Sequence, residues 1–148
     1  MSTLTPEECL RLRELAIEHL IPAKVGHSGG ETRWVPTLRN ADHWKVPEDS
    51  EAWDLLSKVV PFFDAQIIRY GLGGHYVWHS DGTEANGRLK TTIVLLSDPS
   101  EFEGGGLEVV GPWAVGLEQG VAFSFPANKT HRVLPVTSGE RWVAVIWS

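Results

Sequence analysis

The stretch GGHYVWHSDG, residues 73 to 82, places His79 and Asp81 one residue apart at the end of an apolar and aromatic run. If Tyr76 to Asp81 forms a strand, both side chains lie on the same face, because side chains alternate along a strand. An imidazole and a carboxylate would then converge on one small volume. The pair is either the start of a metal site or a hydrogen-bonded pair at a solvated strand end, and a short motif alone does not decide.

Two residues further along favour the metal site. His131 is the single histidine after Asp81. Two histidines and one carboxylate form the facial triad that holds Fe(II) and leaves positions for a chelating co-substrate and oxygen. Arg141 follows on the next predicted strand, and a guanidinium suits the far carboxylate of a bidentate oxo-acid. The alternative is an arginine that solvates a sheet edge. Three other histidines match no motif and are predicted to be solvated: His19, His27 and His43.

Composition limits the class of protein. A chain of 148 residues fits one domain with a sizeable core. A formal charge of −6, with only 13 lysines and arginines spread along the chain, gives no basic stripe for nucleic acid and favours a basic peptide as substrate. One cysteine, no apolar run long enough for a membrane span and no leader predict a cytoplasmic protein that does not contact a membrane.

The order of patterns predicts an α+β fold that is mainly β. A capping box at Thr5 and Glu8 starts a helix from about Pro6 to His19, and a second helix is expected from about Glu48 to Val60. Residues 22 to 46 lack a clear period and are expected to be a loop or an irregular strand pair. Seven or eight short β-prone runs follow, typical of a sandwich or jelly roll. We therefore expect one domain, 1–148, with a helical and loop part, 1–61, and a jelly-roll core, 62–148.

From about Gln66 to Trp147 the sequence resembles the Fe(II) and 2-oxoglutarate dependent dioxygenases, in their prolyl 4-hydroxylase-like branch. The resemblance rests on four stretches in order: RYGLGGHYVWHSD, RLKTTIVLLSD, FEGGGLEV and VAFSFPANKTHRVLPVTSGERWVAVIW. They are similar to the branch's His-x-Asp block, its Arg and Thr strand, its Phe-x-Gly-Gly-x-Leu turn, and its segment from Phe-Pro to the terminal Trp. The fold implied is a double-stranded β-helix buttressed by the two N-terminal helices.

The resemblance also implies residue roles. The iron ligands would be His79, Asp81 and His131, and 2-oxoglutarate would be held by Arg141 and Tyr70, with Thr92 on the matching inner strand. The implied cofactors are Fe(II), 2-oxoglutarate and O2, with ascorbate as a supporting reductant. The residues expected near the substrate are Trp147, Trp78 and Arg88.

The implied activity is hydroxylation of an unactivated C–H bond, with a prolyl or related residue of a peptide or protein as the leading substrate by family analogy. A free amino acid or another small metabolite is the enzymatic alternative. Two further readings are a jelly-roll module that binds a metal, sugar or carboxylate without turnover, and a zinc hydrolase with a similar ligand set. The hydrolase would have no use for a buried Arg141.

Overall fold

The computed structural model describes residues 3–26, 32–82, 85–112 and 115–148. Its helices are α1 (Pro6–Ile17), α2 (Glu51–Leu56) and a short 3-10 helix (Pro99–Glu101). The predicted capping box is present at α1, because Thr5 Oγ1 accepts from the Glu8 amide at 3.1 Å and Glu8 Oε1 accepts from the Thr5 amide at 3.0 Å. Both predicted α-helices are present.

The second helix is shorter than predicted. Ser50 is extended and its Oγ accepts a hydrogen bond from the Trp53 amide at 3.2 Å, so the helix begins at Glu51 rather than at Glu48. It ends at Leu56, four residues before the predicted end at Val60.

Fourteen strands are defined within the described ranges. They are β1 (Ile21–Pro22), β2 (Val25–Gly26), β3 (Thr32–Arg33), β4 (Arg39–Asn40), β5 (Asp42–Lys45), β6 (Asp64–Tyr70), β7 (His75–His79), β8 (Lys90–Leu95), β9 (Phe102–Gly104), β10 (Leu107–Val109), β11 (Ala122–Pro126), β12 (His131–Val133), β13 (Val136–Gly139) and β14 (Arg141–Trp147). The segment 22–46, expected to be a loop or an irregular strand pair, contributes several short strands.

The strands form two principal antiparallel sheets. The major sheet has six strands in the order β1-β5-β6-β14-β8-β11, and the minor sheet has four in the order β10-β12-β7-β4. Two further pairs, β13-β9 and β2-β3, complete the fold. This is the predicted jelly-roll architecture, and strands from the first 61 residues join both sheets. None of the helices in the described ranges has the length and apolar character that crossing a bilayer requires.

The central strand β14 is buried along its whole length and separates two cores. Trp142, Ala144 and Ile146 pack on the side of α1 and α2, in a cluster that includes Leu12 and Leu56. The alternate residues of the strand face the minor sheet, and these are Arg141, Val143, Val145 and Trp147. The sequence of β14 therefore carries the helix-side core and the cavity wall together.

Candidate metal centre

Two adjacent strands bring the predicted triad together. His79 ends β7 and His131 begins β12, and the two residues are opposite each other in the antiparallel pair. Asp81 follows β7 by two residues, so the predicted strand from Tyr76 to Asp81 was too long at this end. Asp81 Oδ1 lies 3.5 Å from His79 Nε2, and Oδ2 lies 3.3 Å from His131 Nε2. The three potential ligand atoms lie within 4.8 Å of one another.

The backbone sets the orientation of both imidazoles. His79 Nδ1 lies 2.7 Å from the Val77 carbonyl, and His131 Nδ1 lies 3.0 Å from the Lys129 carbonyl. A carbonyl oxygen can only accept, so the hydrogen-bond network assigns a proton to Nδ1 of each ring. Each Nε2 then faces Asp81. A histidine whose Nδ1 donates to a carbonyl is oriented to bind a metal through Nε2.

The cluster presents a donor set for a cation. Burial, reinforced by the neighbouring His131, lowers the pKa of His79 to about 4, so this ring is neutral near pH 7. A neutral imidazole with its proton on Nδ1 presents only electron pairs to the Asp81 carboxylate. Such an arrangement is favourable when a positive ion lies among the donors. Two nitrogens and one carboxylate are a donor set that fits Fe(II).

A hydrogen bond from the major sheet positions the carboxylate. Thr91 Oγ1 donates to Asp81 Oδ2 at 2.8 Å. Thr92, the residue predicted to contact the co-substrate, points to the opposite face of β8, where its hydroxyl lies 2.8 Å from Ser124 Oγ. The prediction for Thr92 is corrected. Ile93 lines the metal cavity, which is the space enclosed by the triad, Tyr70 and Arg141, and Thr91 contacts Asp81 of the triad. Both threonines are fully buried, so exposure does not distinguish them.

An irregularity in β7 adds a residue that simple alternation does not predict. The register between β7 and β12 shifts between the pairs His131–His79 and Val133–Tyr76. Tyr76 and His79 consequently lie on the same side, with their rings stacked 3.5 Å apart. Trp78 is 45% exposed and packs under Arg132 instead. It lines neither the metal cavity nor the cleft described below, and its substrate contact stays a prediction.

Arg141 closes the far end of the metal cavity. Its side chain is 2% exposed and lines the cavity together with the triad and the buried Tyr70, whose ring centroid lies 5.6 Å from the Arg141 Cζ. Within the described ranges no carboxylate pairs with this guanidinium. Burial lowers the pKa of Arg141. A buried cation is costly until an anion pairs with it, so the cavity is suited to a ligand with a carboxylate at this end.

A glycine leaves space for that arginine. Gly105 has a φ of +69°, and a Cβ on this residue would lie 2.8 Å from the Arg141 Cδ. The GGG stretch at 104 to 106 therefore ends β9 and links it to β10 while leaving room for the arginine stem.

Comparison with known proteins agrees with this geometry. The family described as the 2OG-Fe(II) oxygenase superfamily matches residues 65–148, which is more than half of the chain. The chain belongs to this superfamily. Its members use Fe(II), 2-oxoglutarate and O2.

Two relatives are PKHD-type hydroxylases. The one from Methylobacterium nodulans is 31% identical over 148 residues, covering 81% of this chain and 65% of the relative. The one from Azoarcus sp. is 31% identical over 166 residues, covering 93% of this chain and 71% of the relative. The chain thus spans about two thirds of the length of these relatives.

Solved structures share the fold. The 2-oxoglutarate complex of the viral collagen prolyl hydroxylase from Paramecium bursaria Chlorella virus-1 has a TM-score of 0.67 and 27% identity, covering 97% of this chain and 90% of the viral one. A Pseudomonas putida prolyl-4-hydroxylase has a TM-score of 0.70 at 19% identity, covering 98% of this chain and 87% of the other, and shows the fold alone.

Outside the metal cavity, this oxygenase has a second and wider cleft of about 370 Å³. The two spaces share Asp81, Tyr76 and Trp147 in their walls, so the cleft leads to the triad. Arg88 stacks its Cζ 3.5 Å from the Trp147 ring centroid and pairs with Asp64 at 3.0 Å. Arg88 and Trp147, both predicted near the substrate, thus lie in the wall of this cleft, and a substrate contact stays a prediction.

His43, predicted to be solvated, is instead half-buried in the cleft. Its Nδ1 contacts Gln66 Oε1, and burial lowers its pKa. His19 stacks on Trp44 with ring centroids 5.1 Å apart, and His27 lies outside the described residues.

Proposed function

We propose that this oxygenase hydroxylates an unactivated C–H bond of a prolyl residue in a peptide or protein. One observation carries the proposal: a histidine and carboxylate triad shares a cavity with Arg141, a buried arginine that no described carboxylate neutralises. A metal at the triad and a dianionic oxo-acid that reaches Arg141 would satisfy both features together. A zinc hydrolase would leave the arginine unexplained.

In this proposal His79, Asp81 and His131 bind Fe(II), and Arg141 and Tyr70 hold the distal carboxylate of 2-oxoglutarate. The bound iron and co-substrate supply the oxidation: the C–H bond, O2 and 2-oxoglutarate become C–OH, succinate and carbon dioxide. A supporting role for ascorbate stays a prediction.

The residues of the chain contribute orientation and exclusion of water. The Val77 and Lys129 carbonyls and the Thr91 hydroxyl hold the three ligand side chains. Val143 and Val145 form an apolar wall, which strengthens the pull of Arg141 on a carboxylate. The cavity is narrow, about 30 Å³.

The prolyl substrate is supported by the names of the relatives and neighbours, which include PKHD-type hydroxylases and a viral collagen prolyl hydroxylase. We further propose a cytoplasmic location, supported by a single cysteine whose burial raises its pKa to about 11 and leaves an unreactive thiol. One domain over 1–148 is also proposed, because strands of the first 61 residues hydrogen-bond into both sheets.

The first test is anaerobic visible absorption as Fe(II) and then 2-oxoglutarate are added to the purified protein. We expect a metal-to-ligand charge-transfer band in the wild type and in His19→Ala, which changes a histidine outside the cavity, and no band in His79→Ala. Admission of oxygen should then produce succinate. Tight iron binding without the band or succinate would exclude the oxygenase and favour the binding module or the hydrolase.

A further inference from the structure

The wider cleft outside the metal cavity has a net positive charge, whereas the whole protein has a net negative charge. The chain carries a formal charge of −6. The cleft, in contrast, is lined by four basic side chains, Lys24, Arg39, Lys45 and Arg88, and two acidic ones, Asp64 and Asp81.

Most of the basic charge has no acidic partner. Arg88 is paired with Asp64, and Asp81 faces the two histidines. Within the described ranges, no carboxylate forms an ion pair with the other three cations, which are Lys24, Arg39 and Lys45. Lys24 and Lys45 are exposed and therefore hydrated at little cost, but Arg39 is not.

Arg39 is a buried cation at the junction of the two spaces. It is 7% exposed and lines both the metal cavity and the cleft. One nitrogen, Nη1, donates to the Lys24 carbonyl at 3.0 Å, while Nε is buried and has no hydrogen-bond partner among the residues that the structure describes. Its Cζ lies 4.6 Å from the Tyr76 ring centroid, and Tyr76 in turn stacks on His79. Arg39 is thus one aromatic ring away from a proposed iron ligand.

We propose that Arg39 binds a carboxylate of the substrate, and that this oxygenase selects a target with an acidic group close to the hydroxylated carbon. The inference rests on the proposed function and names its substrate class: a peptide in which an acidic residue flanks the proline. Lys24 and Lys45 extend the attraction to further acidic groups at the entrance. A planar guanidinium is suited to a carboxylate, and burial increases the strength of that contact.

This substrate class is the reverse of the basic peptide expected from net charge. Charges beyond about 10 Å are largely screened at ordinary ionic strength, so the acidic residues spread over the surface contribute little inside the cleft. The few cations in its wall decide the local potential.

The test uses short peptides that differ only in charge. Gly-Glu-Pro-Glu-Gly, Gly-Gln-Pro-Gln-Gly and Gly-Lys-Pro-Lys-Gly, each amidated and labelled with the same neutral dye, are titrated with the protein while fluorescence anisotropy is followed. The titrations are done anaerobically with Fe(II) and 2-oxoglutarate, and repeated without them. Wild type should bind the glutamate peptide roughly tenfold or more tightly than the glutamine peptide, and the lysine peptide least.

Substitutions test which side chains cause the preference for the glutamate peptide. Arg39→Gln should abolish the preference for glutamate, whereas Arg39→Lys should keep part of it, because the charge is retained. Arg11→Gln, which removes an exposed cation on α1, is the matched control and should bind as wild type does. If Arg39→Gln fails to fold, the double variant Lys24→Gln/Lys45→Gln, which alters exposed side chains, should still reduce the preference and its dependence on salt.

A direct titration separates the two sources of a carboxylate. If none of the peptides binds, calorimetric binding of L-proline but not of L-prolinamide would support the carboxylate site and assign it to a free amino acid. Equal affinity for the three peptides, with hydroxylation still observed, would overturn the inference and leave the proposed function intact. A missing charge-transfer band would overturn the proposed function instead, and the titrations without iron would still measure the charge preference of the cleft.

Discussion

The two faces of the major sheet differ in chemistry although the same strands build both. On the helix side, Ile67, Val94 and Ile146 pack with α1 and α2 in an apolar cluster. On the inner side, the same strands present Tyr70 and Arg141, and buried polar groups share the space with aliphatic ones. The helix side stabilises the fold mainly by apolar packing. The inner side carries Arg141, whose charge no described carboxylate neutralises, so stability and chemistry are divided between the faces.

The largest expected effect is the loss of iron from the inner side. His131→Ala removes one of three proposed ligands, so iron binding and succinate formation should fall to background. The folded structure should persist, because the helix-side core is untouched. Iron content after gel filtration and circular dichroism measure the two properties. Normal iron content in this variant would contradict the ligand assignment.

A substitution on the helix side tests whether the two faces are independent. Ile146→Ala, on the same strand as Arg141, creates a cavity on the helix side and should lower the free energy of unfolding by about 2–5 kcal/mol. Denaturant unfolding gives this value. Affinity for 2-oxoglutarate should stay within about twofold of wild type, since distant sites are usually independent. A large loss of affinity would show that the two faces are coupled.

Removal of the buried cation should have opposite effects on binding and on stability. Arg141→Met should weaken 2-oxoglutarate binding about ten- to hundredfold, because a charge-assisted contact is lost. The ligand-free protein should be as stable as wild type or more stable, because an unpaired buried charge is replaced by an apolar chain. Calorimetric titration and thermal unfolding test both parts, and Arg141→Lys is the control that retains charge. Marked destabilisation of the ligand-free Met variant would refute this view of the inner face.

Thr91 and Thr92 are neighbours in β8 but lie on opposite faces of the major sheet, so substitutions at the two positions compare the faces. Thr91→Val removes the hydrogen bond to Asp81 and should reduce iron affinity about tenfold, as expected when a group that orients a metal ligand is lost. Thr92→Val removes only the contact with Ser124 on the other face and should leave iron affinity unchanged. Iron titration against a competing chelator distinguishes them. Equal effects from the two variants would mean that the face assignment is wrong.

The smallest expected effect is a pH dependence from the cleft. Burial lowers the pKa of His43 in the folded protein, so the unfolded chain binds the proton more readily. The contribution of His43 is therefore complete above its unfolded pKa of about 6.5 and is lost as the pH falls towards the folded value. His43→Asn should give a shallower decline of the melting temperature below pH 6.5. An unchanged decline would place His43 in solvent.

Much of the site could be predicted from residue order. The His-x-Asp spacing, the later histidine and the arginine that opens RWVAVIW predicted the triad and its cation, since those residue types have few other roles together. Their convergence is confirmed by the positions of His79, Asp81 and His131. The capping box at Thr5 was equally readable, because it depends on contacts within one helical turn.

The other features of the site depend on the register and pairing of strands that are distant in sequence. All residues of β8 after Lys90 are buried, so hydrophobic alternation is absent and Thr91 could not be distinguished from Thr92. The shift in β7 that turns Tyr76 towards His79 depends on its partner strand β12.

Sequence alone thus determined the chemistry of the metal centre, because that chemistry depends on residue type and order. Only the tertiary structure placed Arg39 beside this centre. Arg39 belongs to β4, a two-residue strand that pairs with β7, and no local pattern signals such a contact. The charge of the cleft is a sum over side chains that lie far apart along the chain, so only the folded structure shows its sign.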